Sequence, residues 1–338
     1  MCENQKMNRR KFIRRSVAMG GGALMAAYSI PMAKATTTAK SEIKGMMAAS
    51  KVYWVKDFTP ANMIKLYEAL GRKAEGKVAV KLSTGEPGGH NFLQPSLIAD
   101  LVKKVNGTIV ECNTAYGGGR TNTEDHMKAA KDHGFTAIAN VDIMDAEGEV
   151  ALPVTGGSHL KENYVGSHML NYDFVVVLSH FKGHAMGGFG GALKNISIGI
   201  GSATGKAWIH TAGKTKTNLW QNLPSRQEDF LESMAEAAQS VTAHFKDKML
   251  YINVMNRLSV DCDCDSNPAE PKMADIGIFA SLDPVALDKA CVDQVYNSPD
   301  PGKADLIERM ESRKGIHTVV HAEALGLGTQ NYELVSLD

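Results

Sequence analysis

The chain has 338 residues, 43% hydrophobic, 22% charged and 7% aromatic, with 32 Gly and 11 Pro, a usage that excludes a disordered, collagen-like or coiled-coil protein. Basic and acidic residues balance at 37 each, but residues 1–35 hold seven basic side chains against Glu3 alone, which leaves the rest of the chain with a net charge of −6. An acidic body of that kind is not the electrostatic footprint of a nucleic-acid binder.

In chain order, the basic cluster Lys6 to Arg15 precedes an uncharged apolar stretch from Val17 to Ile30 and then Ala33-Lys34-Ala35. A basic start, a short apolar middle and an Ala-x-Ala site predict an export signal cut after Ala35. The stretch is shorter than the roughly 20 apolar residues of a membrane span, so no permanent transmembrane anchor is expected. Asn8-Arg9-Arg10-Lys11-Phe12-Ile13 resembles a twin-arginine signal. That resemblance implies the twin-arginine export machinery as a partner and a periplasmic destination. An uncleaved leader acting as an anchor is the alternative. Thr36 to Ala49 reads as a linker, and residues 50–338 as an α/β domain.

Within that domain, strands are predicted at Lys77–Ser83, Thr108–Cys112, Phe174–Leu178, Leu250–Val254 and Ile276–Ala280. Helices are predicted at Pro95–Val105, at Thr123–Asp132 with Thr123 as cap, at Glu228–Phe245 and at Pro284–Val295. Strand alternating with helix predicts an α/β fold, a largely parallel sheet with helices on both faces, built as one domain or as two lobes with the site between them. In such sheets ligands sit at the carboxyl ends of strands.

The densest polar constellation follows the Phe174 strand: Ser179-His180-Phe181-Lys182-Gly183-His184, then Gly187 to Asn195. Glycines let backbone N–H groups approach an anion, Lys182 and Lys194 supply charge, and imidazoles ligate metals or move protons. The competing reading is a glycine-rich turn with satisfied histidines. A second constellation, Asp261-Cys262-Asp263-Cys264-Asp265, offers two soft thiols among carboxylates. It reads as a metal or iron–sulfur site, as an oxidised pair or disulfide to Cys112 or Cys291, or as a structural turn. Cys112 and Cys291 read as core residues. Arg120 stands in a third glycine-rich loop, as a clamp for an anion, and Lys206 to His210 return towards the first constellation. His126, His133 and His244 read as ordinary helix residues. The candidates are therefore His180, His184 and Lys194 for catalysis, and Lys182, Gly190, Gly191, Arg120, Lys206 and His210 for holding a cofactor. Cys262, Cys264, His180 and His184 are the candidate metal ligands.

Several of these residues form an ordered set: Ser179 to His184, Gly191 to Asn195, Gly205 to His210, Cys262-Asp263-Cys264, Asp275 to Ser281, Asp283 to Asp288, and His321 to Gly328. That set resembles the bacterial and archaeal domain-of-unknown-function family numbered three hundred and sixty-two, over roughly residues 50–335. The resemblance implies an iron–sulfur-centre type of protein. The four-cysteine ferredoxin insert carried by many members is missing, however, for no cysteine lies between Cys112 and Cys262. His180-Phe181 with Gly190 to Lys194 also resembles the nickel-pincer lactate racemases, which implies a metal-bearing cofactor between two lobes. The reading that results is an exported metal- or cofactor-binding protein, a redox or isomerising enzyme acting on a small anionic ligand. The alternatives are a periplasmic binding protein for a small anion and a metallochaperone.

Overall fold

The computed structural model describes residues 48–338, and the predicted signal and the linker as far as residue 47 lie outside the described residues. The strands are β1 (Ser50–Val55), β2 (Val78–Lys81), β3 (Gly107–Glu111), β4 (Val141–Ile143), β5 (Glu149–Pro153) and β6 (Glu162–Gly166). They continue with β7 (Phe174–His180), β8 (Lys182–His184), β9 (Gly188–Gly190), β10 (Met249–Met255), β11 (Gly277–Ser281) and β12 (Tyr332–Ser336). The helices are α1 (Pro60–Ala69), α2 (Pro95–Lys104), α3 (Thr123–Asp132), α4 (Ala192–Ile196) and α5 (Ala203–His210). After them come α6 (Gln227–Phe245), α7 (Pro284–Asn297), α8 (Lys303–Ser312) and α9 (Ile316–Ala324). All nine elements predicted from the sequence form, with ends within two residues of expectation. The cap of α3 is Asn122 rather than Thr123: its side chain accepts from the Asp125 N–H at 3.0 Å.

Eight strands make one sheet in the order β12-β1-β11-β10-β7-β2-β3-β4, beside the hairpins β5-β6 and β8-β9. The pairs from β10 through β7, β2 and β3 to β4 are parallel, whereas β11 runs antiparallel to both its neighbours. Alternation along each strand sorts the core into two layers. Val176, Leu178, Ile252 and Val80 face α1 and α2 through Leu66, Ile98 and Leu101. Val175, Val177, Tyr251 and Val110 face α4, α6 and α7 through Leu193, Val241 and Leu287. Burying each such side chain contributes about 1.5–3 kcal/mol, which is why the strands read as continuous apolar runs. Residues 48–338 fall in one compact unit by their contacts. Among the described residues no helix is long and apolar enough to cross a membrane.

Candidate functional site

Parallel strands bring their last residues to one edge of the sheet, and there the polar residue ending each apolar strand meets its neighbours. Lys81 ends β2, Glu111 ends β3, Ser179 and His180 end β7, and the segment after β10 brings Cys262 and Cys264 back to the same edge. With Tyr116, Arg120, Lys182, Lys194 and Lys206 they line a cavity of about 60 Å³. One water needs about 10–15 Å³ of such space, so the cavity accepts a few waters or one compact ligand group.

The lining is cationic, and its charges are held by named partners. Lys182 Nζ donates to Asp263 at 2.8 Å and to the His180 carbonyl at 3.0 Å. Lys206 donates to the carbonyls of Gly201 and Cys112, and Lys81 to Leu82 O and to Asn195 Oδ1. Lys194 Nζ stands 3.3 Å from Cys262 Sγ. An ammonium has three donors, so among the described residues each of these four lysines keeps at least one N–H for a ligand. Tyr116 Oη is buried with no hydrogen-bond partner at all, which a bound acceptor would supply.

Arg120 is committed elsewhere. Its Nε donates to Glu86 at 2.9 Å and its Nη1 to Glu111 at 3.3 Å, and His126 Nε2 also bonds Glu111 at 2.9 Å. Burial opposes ionisation of Glu111, but Arg120, His126 and Lys81 outweigh it and hold its carboxyl well below the usual range. Burial likewise lowers Lys81 to about 8, partly offset by Glu111.

The cysteine pair is unsymmetrical. Cys264 hydrogen bonds to Cys262 and lowers it well below the ordinary thiol value; burial opposes the shift, and Lys194, Lys182 and His184 reinforce it. The same bond, with burial, raises Cys264. The shared hydrogen bond and the nearby lysines thus favour the thiolate at Cys262 over Cys264. Neither sulfur is in a disulfide. His184 Nδ1 accepts from the Met186 and Gly187 N–H groups at 3.2 and 2.8 Å, which directs its other nitrogen to Cys262.

The glycines of the loop serve close approach. A Cβ on Gly191 would stand 2.3 Å from Asp288 Oδ1, whose carboxylate accepts from the Ala192 and Leu193 N–H groups at 2.7 and 2.9 Å and so caps α4. Gly191→Ala is expected to destabilise the protein by about 1–3 kcal/mol in urea melts, the cost of overpacking a tight contact.

Of the predicted residues, His184, Lys182, Lys194, Lys206, Gly190, Gly191, Cys262 and Cys264 converge. His180 lines the cavity but is not free to ligate a metal: Nδ1 bonds Asp263 and Nε2 bonds Asn256 O, each at 2.7 Å. It positions Asp263. Arg120 lines the cavity with its Nε and Nη1 engaged by two buried carboxylates, Glu86 and Glu111. His210 lies behind the wall, stacked on Phe230 at 4.7 Å with Nδ1 on Lys206 O, and burial lowers it to about 3, which keeps it neutral. His126, read as an ordinary helix residue, is a buried partner of Glu111. Lys81, Glu111 and Tyr116 were missed; the signal available for the first two was a charged residue closing an apolar strand.

His184, Cys262 and Cys264 offer ligand atoms within 4.8 Å of one another, a donor set suited to a thiophilic ion such as Zn²⁺. An iron–sulfur cluster fits less well, since it normally takes four thiolates. Cys112, which also lines the cavity, donates to Ile200 O at 3.2 Å and is pushed up to about 12 by burial.

No curated protein sequence matches the chain. Among solved structures, it is similar to the lactate racemase apoprotein from Thermoanaerobacterium thermosaccharolyticum, at 17% identity over 61% of this chain and 50% of that one, with a TM-score of 0.38. It is also similar to a structural-genomics protein from Thermotoga maritima, at 14% identity over 72% of this chain and 60% of that one, with a TM-score of 0.41. The chain thus spans about half and three-fifths of those two proteins. Residues 78–293, which contain the whole cavity lining, match the domain of unknown function DUF362, and the chain belongs to that family.

Proposed function

We propose that this protein is an exported, metal- or cofactor-associated redox enzyme that holds a compact anionic group in the lysine-lined cavity against the Cys262–Cys264 pair. One observation carries the reading: Lys194 stands 3.3 Å from Cys262 Sγ at the wall of a buried cavity that Lys81, Lys182 and Lys206 also line. An anion held there would find spare N–H donors and the unpartnered Tyr116 hydroxyl in the same lining as the two sulfurs. Charge-assisted bonds in a water-poor site are the strong ones, so the cavity selects negative charge and small size together. A thiophilic ion, where bound, would be held by His184, Cys262 and Cys264 and would supply Lewis acidity beside the anion. The basic leader with its paired arginines supports export.

The test has two arms. Protein recovered from its own export route is expected to carry a thiophilic metal ion that is lost in a Cys262→Ser/Cys264→Ser variant. Cys262 in the metal-free protein is expected to react faster with iodoacetate than with neutral iodoacetamide, a preference that Lys194→Ala reduces. A metal-free native protein whose Cys262 shows no preference for the anionic reagent overturns the reading.

A second reading, a non-catalytic binding protein for a small anion, is favoured by the small size of the cavity, about 60 Å³. It requires anion-dependent thermal stabilisation that Cys262→Ser leaves unchanged and Lys194→Ala removes.

A further inference from the structure

Asp288 on α7 does not line the cavity, yet it holds the segment that forms one of the cavity walls. It is 0% exposed, and both of its oxygens are used. Oδ1 accepts from the Ala192 N–H and from Asn253 Nδ2, each at 2.7 Å, and Oδ2 accepts from the Leu193 N–H at 2.9 Å. The next two residues of α4 belong to the cavity lining. Lys194 stands 3.3 Å from Cys262 Sγ, and Asn195 accepts from Lys81 Nζ through Oδ1 at 3.0 Å while its Nδ2 donates to Ser179 Oγ at 3.0 Å. One carboxylate thus fixes the start of a five-residue helix whose second half touches two of the cavity lysines.

Two observations point to proton exchange at this carboxylate. The first is its setting. The groups that touch it from α4 and β10 are backbone N–H and carboxamide, and among the described residues no ammonium, guanidinium or imidazole bonds to it. Cys291, which shares Asn253 with it, is a neutral thiol because burial raises it. Burial in these surroundings raises Asp288 to about 6, against the pull of its three hydrogen bonds. The second observation is Asn253 Oδ1, on the same carboxamide, which is buried with no partner. Rotation of that amide would present the oxygen to Asp288 in place of Nδ2, an acceptor that only a protonated carboxyl can use. The orphan atom therefore has a partner in the protonated state and none in the ionised one.

We propose that Asp288 is a positioning residue: its carboxylate holds the 191–195 turn so that Lys194 and Asn195 stand at the cavity wall, and its protonation releases that turn and weakens the hold on an anion. The inference rests on the anion site proposed at Cys262. A neutral carboxyl turns one acceptor oxygen into a donor, so one of the Ala192 and Leu193 N–H groups loses its partner in a water-free core. The turn shifts to recover that bond, and Lys194 moves with it.

The experiment alkylates Cys262 in the metal-free full chain with iodoacetate and with iodoacetamide, from neutral pH to about pH 5, with the modified site read by peptide mass. Both reagents consume the same thiolate, so the ratio of their rates cancels the titration of Cys262 and reads the positive charge beside it. In wild type the ratio is expected to fall about threefold or more with a midpoint at about 6, the scale of one unit charge displaced in a partly wet site. A proton gained by His184 would add charge beside Cys262 and raise the ratio, so the direction separates the two groups. Asp288→Asn, neutral at every pH, is expected to show the low ratio throughout with no step. Asn253→Ala removes a donor to the carboxylate and is expected to move the midpoint to higher pH, which serves as the check if Asp288→Asn does not fold. A preference for iodoacetate that persists undiminished at about pH 5 overturns this inference alone. The same holds for a step that survives in folded Asp288→Asn, or one whose midpoint is unchanged in Asn253→Ala. No preference at any pH overturns the anion site and this inference with it.

Discussion

Arg120→Ala is expected to destabilise the protein by about 3–5 kcal/mol, the cost of removing one partner from a buried ion pair. The guanidinium spans Glu86 and Glu111, with side-chain accessibilities of 3% for Arg120 and 6–7% for the two carboxylates, so water cannot replace it. Arg120→Lys should recover only part of the loss, because a single ammonium cannot reproduce a planar fork reaching two carboxylates. The sign with pH is fixed by Glu111. Its folded pKa is depressed, so the network's contribution is present at neutral pH and is lost as pH falls through that depressed value. The difference between wild type and Arg120→Ala in urea melts should therefore shrink in acid. An equal difference at neutral and acid pH would contradict the assignment of Glu111 as the charge at stake.

The second large effect concerns ligand affinity. Binding of a small anion, with inorganic phosphate as a calorimetric probe, is expected to weaken as pH rises through about 8, where Lys81 loses its proton. Lys81→Met should remove that step and lower the affinity at pH 7 by about 1.5–3 kcal/mol, roughly ten- to a hundredfold, the worth of a charged hydrogen bond. Stability of the ligand-free protein should move the other way. Between about 8 and the ordinary lysine value of 10.5 the unfolded chain binds the proton that the folded one has released, so stability rises with pH in that window. Opposite slopes for affinity and stability separate this lysine from a general loss of structure in alkali.

The layered fold was legible because the parallel strands are covered on both faces, so each had to be a short apolar run, as Phe174 to Leu178 shows. Edge strands give a weaker signal. Leu334 in β12 is 37% exposed, and Tyr332 to Ser336 shows no clean alternation, so neither β12 nor its pairing with β1 stood out. The glycine-rich loop and the Cys-x-Cys pair were legible because those residue types have few structural uses in such density. Their convergence was not, since it depends on strand register placing Lys81 opposite Val177 and Val110. His180 and Arg120 show the limit of residue type as a guide. Each is where an active group was expected, and each has ring or guanidinium donors engaged by carboxylates that the sequence gives no means of locating.

The pairing of β1 has a consequence for the order of assembly. Among the described residues its partners in the main sheet are β11 and β12, with Val52 opposite Ser281 and Leu334, so an early strand waits for two late ones. Contacts of such sequence separation make folding slow, and they bind completion of the sheet to completion of the chain. A nascent or C-terminally shortened protein that ends before residue 277 would carry the cavity residues and yet leave β1 unpaired.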